Sequence, residues 1–272
     1  MALKGKTPRK PSWKARGSNA EREARPKPDW ISRALARAGI LPLEDAEDAV
    51  RAGRVSMAGR TVQNPLAPVT PGALIRLDGH KVSLDVKTHV IVFHKPAELL
   101  SSTARQHGVG TVFEVLLPQL PPELAGYQWH AVGRLDRDTT GLLLFTNDEQ
   151  LLAFATSPER GVPKRYVAEV LGGADDAKVQ PLRDGVELED GRTRPALVQV
   201  VDARHVIVTV TEGRNHQVKR MLGAVGLPTR TLHRDAVGSL TLDVPVGGFR
   251  LLTEEEIREG LGYQGRGVSG GA

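Results

Sequence analysis

Residues 133–148 read GRLDRDTTGLLLFTND, and the uninterrupted apolar run from Leu142 to Phe145 constrains the fold more than any other stretch. The run is too short for a helix and lacks the alternation of a half-exposed strand, so it reads as a strand buried within a sheet. Charged side chains crowd its mouth. Arg134 and Asp136 stand two apart, and the polar turn Asp138-Thr139-Thr140-Gly141 follows. Two readings fit this pattern. In the first, the flank of a buried strand is simply wet. In the second, Asp136 does chemistry in a pocket that the apolar run helps to build.

The rest of the chain can supply such a sheet. Its 272 residues are 40% hydrophobic, enough for a core and two domains. No apolar run approaches the ~18 residues of a membrane span, and the first residues, MALKGKTPRK, have no apolar signal core. A cytoplasmic protein is the expectation. The absence of cysteine excludes disulfides, thiolate metal sites and cysteine nucleophiles. The eight histidines include no His-x-x-x-His pair, and no Gly-rich phosphate loop is present, so neither a metal nor a nucleotide cofactor is expected. The formal net charge of +5 is uneven. Residues 1–28 hold nine Lys/Arg against two Glu, whereas the remainder is slightly acidic. A segment so basic, proline-bearing and poor in apolar residues reads as a disordered tail, either merely solvated or gathering onto phosphates.

Residues 29–86 read as a small unit. Asp29 is placed to cap a helix in WISRALARAGI, with Ile31, Ala34, Leu35 and Ala38 as its stripe. A second helix follows in LEDAEDAVRAGRV, then short strands around the turns Ala58-Gly59 and Asp78-Gly79. Arginines recur here, among them Arg33, Arg37 and Arg54, as a solvated or phosphate-facing surface. The stretches LARAG, AEDAVRAGRVSMAG and IRLDGHKV resemble an S4 RNA-binding domain. One departure is that Pro42-Leu43 stand where S4 domains carry a Ser-Arg pair.

From residue 90 strands dominate. VIVFHKP, LLLF, KRYVAEVL, PALVQVV, HVIVTVTEG, TRTLHRDAV and SLTLDV read as strands; TVFEVLL, EQLLAFAT, HQVKRMLGAVG and LTEEEIREGLG read as helices. Asn147 with Gln150 is expected to cap EQLLAFAT. Residues 118–127 read as a Pro-rich loop. The expected class is α+β: a small N-terminal domain, then residues 87–262 as a domain on a large mixed or antiparallel sheet flanked by helices, then a flexible tail at 263–272.

Three stretches of this second domain stand out: GRLDRDTTG, PKRYVAEV with Tyr166, and EGRNHQVKRM with Arg214, Lys219 and Arg220 around a helix start. Singly, each has an ordinary reading as a turn, a strand aromatic and a solvated helix. Together with LHRDAVGSLTLD they resemble the ribosomal pseudouridine synthases of the RsuA/RluB type, which join an S4 domain to a catalytic domain. The resemblance spans about residues 29–260. It implies an isomerase that converts uridine to pseudouridine in ribosomal RNA, free or in a partly assembled particle, as a monomer without cofactor. Lysine in QVKRM leans toward the small-subunit branch. The resemblance implies catalytic roles for Asp136, Tyr166 and Lys219, with Lys219 as the cation beside Asp136. Arg134, Arg214 and Arg220 are implied RNA-binding residues. Asp138, two residues from Asp136, tempts a glycosidase reading but is expected to accept local turn hydrogen bonds. The alternative is a non-catalytic RNA-binding or ribosome-assembly factor on the same fold.

Overall fold

The computed structural model describes residues 29–70, 72–84 and 87–264. The basic tail expected at 1–28 lies outside the described residues. Among the described residues no helix is long and apolar enough to cross a membrane.

The first unit has two helices, α1 (Ile31–Arg37) and α2 (Leu43–Arg51), and four short strands: β1 (Val55–Met57), β2 (Arg60–Val62), β3 (Ile75–Leu77) and β4 (His80–Val82). The strand order is β2-β1-β3-β4, antiparallel throughout. Each hairpin closes on two residues in the left-handed region, Ala58-Gly59 and Asp78-Gly79, the turn that matches the strands' own twist. Ile31, Leu35, Ala49 and Val50 from the helices share a core with Val55 and Ile75. The expected cap is absent. Trp30 occupies the N-cap of α1, and Asp29 instead pairs with Arg37 one helix length away.

The second unit is organised by a nine-stranded sheet. Its strands are β5 (Val90–Lys95), β6 (His130–Val132), β7 (Thr140–Thr146), β8 (Lys164–Val170), β11 (Leu197–Val200), β12 (His205–Val210), β13 (Thr229–Val237), β14 (Leu240–Thr241) and β15 (Phe249–Leu251). A separate small hairpin pairs β9 (Glu187–Leu188) with β10 (Gly191–Arg192). The order across the sheet is β11-β12-β8-β13-β7-β5-β15, with β14 on β13 and β6 on β7. All its pairings are antiparallel except one: β7 lies parallel to β13, with Thr140 opposite His233 and Gly141 opposite Arg234. Two antiparallel half-sheets thus meet at a short parallel seam.

Helices α3 (Val112–Leu116), α4 (Pro122–Ala125), α5 (Glu149–Thr156), α6 (Asp176–Asp184), α7 (Gln217–Ala224) and α8 (Glu254–Leu261) complete the unit. The segment expected as a loop at 118–127 therefore contains a short helix. The apolar run of β7 is explained by cover on both faces. Leu142 and Leu144 pack with Val90, Val92, Leu151 and Ile257; Leu143 and Phe145 pack with Ile91, Phe93, Phe113 and Leu116. Each such side chain contributes roughly 1.5–3 kcal/mol on burial. A third cluster sets α7, through Val218, Met221 and Leu222, against Ala168, Val206 and Val208.

Two local expectations are corrected. The cap of α5 is Asp148, whose carboxylate accepts from the backbone N–H of Gln150; Asn147 instead bonds the backbone of Lys87 and His89. Of the tail expected at 263–272, residues 265–272 lie outside the described residues, and its first residue is packed into the core. Tyr263 is buried, and its hydroxyl donates to Asp148 at 3.0 Å.

The seam depends on a residue without a side chain. Gly141 has φ +110°, and a Cβ there would clash with the carbonyl of Arg234 and lie 2.7 Å from its nitrogen. Gly141→Ala is therefore expected to destabilise the protein by at least ~3 kcal/mol in urea unfolding. Gly133→Ala has a similarly left-handed backbone (φ +76°) but open space around it, and should cost only about 1 kcal/mol.

Candidate active site

The loop between β6 and β7 carries Asp136 and is fixed at three points. Ser101 clamps Leu135 twice: its hydroxyl donates to the Leu135 carbonyl at 2.8 Å and accepts from the Leu135 N–H at 3.1 Å. The Leu135 side chain is buried. Beyond Asp136, the Thr139 N–H closes a turn onto the Asp136 carbonyl. Beneath that turn lies Lys95, the last residue of β5 and fully buried. Its ammonium donates to the carbonyls of Pro96, Arg137 and Thr139 at 3.0, 3.1 and 2.8 Å. Desolvation pushes the Lys95 amine down to about 8.

The other half of the site comes from the turn before α7. Buried Glu212 accepts from the Gln217 side chain and pairs with Arg214, and Gln217 accepts from the Arg214 N–H. This network locks the turn so that His216, held in the left-handed region at φ 48°, and Lys219 both face Asp136. His216 Nδ1 lies 2.9 Å from Asp136 Oδ2, and Lys219 Nζ lies 3.6 Å from the same oxygen. Lys219 touches Asp138 more closely and holds that carboxyl below the usual carboxylate range. The expectations for this cluster are thus revised. Lys219 is shared between two carboxylates, the nearer partner of Asp136 is His216, and Asp138 engages Lys219 where a turn role alone was expected.

Asp136 opens onto a cleft of about 310 Å³, at the small end of ligand pockets. Tyr166, Arg134, His216, Lys164 and Arg234 also line it. Tyr166 lies within β8 and is half-buried; the guanidinium of Arg234 stands 5.9 Å from its ring centre. Arg134 is exposed at the rim. Of the remaining arginines expected at RNA, all but Arg33 are engaged within the protein. Arg214 donates to the carbonyls of Gly191 and Arg192 at 2.7 and 2.6 Å, clipping the β9–β10 hairpin, and Arg220 pairs with both oxygens of Asp190 at 2.9 Å. In the first unit, Arg54 is paired with Asp78 and Arg37 with Asp29, whereas Arg33 is exposed beside the Trp30 ring. Sequence reasoning missed His216, Lys95, Lys164 and Arg234. The spacing of His216 and Lys219, three apart at a helix start, was a signal for the first. A lysine ending an otherwise apolar strand was a signal for the second.

With this geometry in hand, comparison with known proteins gives a consistent result. The profile of the RNA pseudouridylate synthase family matches residues 89–224. The chain is 37% identical over 230 residues to the ribosomal large subunit pseudouridine synthase B of Escherichia coli K12, covering 80% of this chain and 77% of that one. It is 38% identical over 212 residues to the ribosomal small subunit pseudouridine synthase A of Yersinia pestis, covering 76% and 88%. A crystal structure of a pseudouridylate synthase superposes with a TM-score of 0.59 at 29% identity, covering 85% of this chain and 98% of that one. The chain belongs to the RNA pseudouridylate synthase family.

Lys95 provides a test of how the loop is held. Near pH 7.5, Lys95→Met is expected to cost about 1–3 kcal/mol, because three buried carbonyls lose a donor. The folded amine titrates near 8 and the unfolded one near 10.5, so between these values the unfolded chain binds more protons and stability rises with pH. The wild type's margin over Lys95→Met should therefore widen from about pH 8 to 10.5 in urea unfolding. A flat margin would contradict the burial of an ionisable amine beneath the loop.

Proposed function

We propose that this chain isomerises uridine to pseudouridine in ribosomal RNA, with Asp136 as the essential carboxylate. The observation that carries the reading is the Asp136 side chain, 23% exposed, opening onto a cleft that Tyr166 also lines. A carboxylate does nucleophilic or base chemistry only while ionised, and a desolvated site works against the charge unless cations stand beside it. Lys219 supplies such a cation 3.6 Å from the carboxylate, and His216 sets a ring nitrogen 2.9 Å from the same oxygen. In this reading Asp136 attacks the ribose or removes a proton from it, and the C1′–N1 bond of the uridine breaks. Tyr166 stacks on the extruded base, which leaves its helix at a cost of a few kcal/mol. Arg134, at the rim, meets a phosphate of the flipped nucleotide.

The wider organisation follows. Residues 29–86 form an S4-like RNA-binding domain in which Arg33 is the arginine best placed for phosphate, and residues from 87 onward form the catalytic domain. Residues 1–28 form a basic arm toward RNA. The protein acts in the cytoplasm as a monomer, on ribosomal RNA free or partly assembled. Lysine rather than arginine at 219 favours small-subunit RNA. The names of both relatives, one large-subunit and one small-subunit, support ribosomal RNA as the substrate class. The assembled Asp136, His216 and Lys219 cluster speaks against a purely structural factor.

In single-turnover assays on ribosomal RNA, Asp136→Asn is expected to lose about 10³-fold or more in rate with RNA binding preserved. Asp138→Asn leaves Lys219 to Asp136 alone and should stay within about tenfold of wild type. Lys219→Met should fall between, near 10²-fold, because His216 still supports the carboxylate. Activity in Asp136→Asn, or its retention alongside loss in Asp138→Asn, would overturn the assignment. A second check concerns the arm: removing residues 1–28 should lower RNA affinity and flatten the log–log salt slope by roughly 0.7–0.9 for each phosphate that the arm neutralises.

A further inference from the structure

The charges around the cleft are balanced on one side and unbalanced on the other. Asp136 meets His216 and Lys219, and Arg214 and Arg220 meet Glu212 and Asp190. Across the cleft, Lys164 and Tyr166 project from the same face of β8, and Arg234 of β13 stands in register opposite Tyr166. Neither Lys164 nor Arg234 has an ion-pair partner among the described residues; the charge that acts on Lys164 is that of Arg234, another cation. Arg234 is only 3% exposed. Its Nε donates to the Leu142 carbonyl at 2.7 Å, its Nη1 lies 3.4 Å from the Tyr166 hydroxyl, and its buried Nη2 has no acceptor among the described residues. Burial, with Arg234 nearby, pushes the Lys164 amine down to about 8. A buried and a half-buried cation side by side without an anion are costly to the fold. The arrangement makes physical sense where negative charge arrives during function.

Resting on the uridine-isomerising reading above, we infer that Lys164 and Arg234 form an anion-receiving wall that holds the uracil ring while it carries the charge of the broken glycosidic bond. When C1′–N1 breaks heterolytically, its electron pair stays on the uracil and spreads over N1, O2 and O4. The ring turns, C5 bonds to C1′, C5 releases its proton and N1 takes one up, so the nucleotide keeps its composition. Stacked on Tyr166, the ring presents its carbonyl edge to the two cations. Fixed charges aimed at developing negative charge in a dry site lower a barrier without reorganising. They also keep the detached ring within reach of the sugar. A phosphate of the RNA backbone is the competing occupant, and it has a different signature.

The test uses the full-length protein on ribosomal RNA containing either uridine or 5-fluorouridine at the target. Fluorine stabilises the uracil anion, so the substituted ring leaves with less help. Lys164→Met is expected to slow uridine conversion about 10²-fold with RNA affinity unchanged. The loss should be clearly smaller for the disappearance of 5-fluorouridine, and Lys164→Arg should recover most of the rate. Lys164→Gln replaces the methionine variant if melting curves show that it does not fold. Equal losses on both substrates overturn the wall, as does an unslowed variant. Weaker RNA binding with a salt slope flatter by roughly 0.7–0.9 assigns Lys164 to a phosphate and also overturns it. If the wild type converts no uridine, the underlying reading falls and the wall falls with it; wild-type turnover with any of the contrary Lys164 results removes the wall alone.

Discussion

The parallel pairing of β7 with β13 is the constraint on which the rest of the structure depends. It joins two antiparallel half-sheets through Thr140 opposite His233 and Gly141 opposite Arg234. The backbones approach so closely there that position 141 has no room for a side chain. Two side-chain bonds cross the same seam: Thr140 to His233 at 2.8 Å and Arg234 Nε to the Leu142 carbonyl. The loop bearing Asp136 ends where β7 begins, so its position is set by the seam. Tyr166 is placed one strand further on, through the pairing of β8 with β13. Residues 136, 166 and 234, far apart in the chain, therefore line one cleft because three neighbouring strands bring them there.

Electrostatics refine what the backbone positions. A buried lysine under the loop and a locked turn before α7 hold Asp136 from two directions without neutralising it through a single tight pair. Lys219 divides itself between Asp136 and Asp138, which leaves His216 as the nearer partner of Asp136. Arg214 and Arg220, by contrast, spend their charge on the β9–β10 hairpin. Basic residues adjacent in sequence thus have separate physical duties, divided by which carboxylates the fold brings near.

Much of this is legible in the sequence, and the limits are physical. The run Leu142 to Phe145 announces a strand covered on both faces, and Ala58-Gly59 and Asp78-Gly79 announce tight hairpins, because period and turn chemistry are local properties. Asp136 and Tyr166 are legible through the motifs around them, and both line the cleft. Arg220 looks like an RNA-binding residue in the sequence because its partner, Asp190, lies thirty residues upstream, and Arg214 does so because the hairpin carbonyls it clips are more than twenty residues away. Asp148 is hard to tell from its neighbour Asn147 as a cap because both residue types suit the position. The parallel seam and the antiparallel pairing of Arg234 with Tyr166 are non-local and leave no periodic trace.

In the proposed reaction, uracil is detached and rejoined through carbon within one site, without release. Ribosomal RNA carrying tritium at C5 and carbon-14 in the uracil ring, incubated with the purified protein, tests this most directly. The expected result is tritium appearing in water in a one-to-one ratio with pseudouridine formed, with all the carbon label retained in the RNA and none of it converted by Asp136→Asn. Free labelled uracil in place of pseudouridine would contradict the account and make the protein a hydrolase.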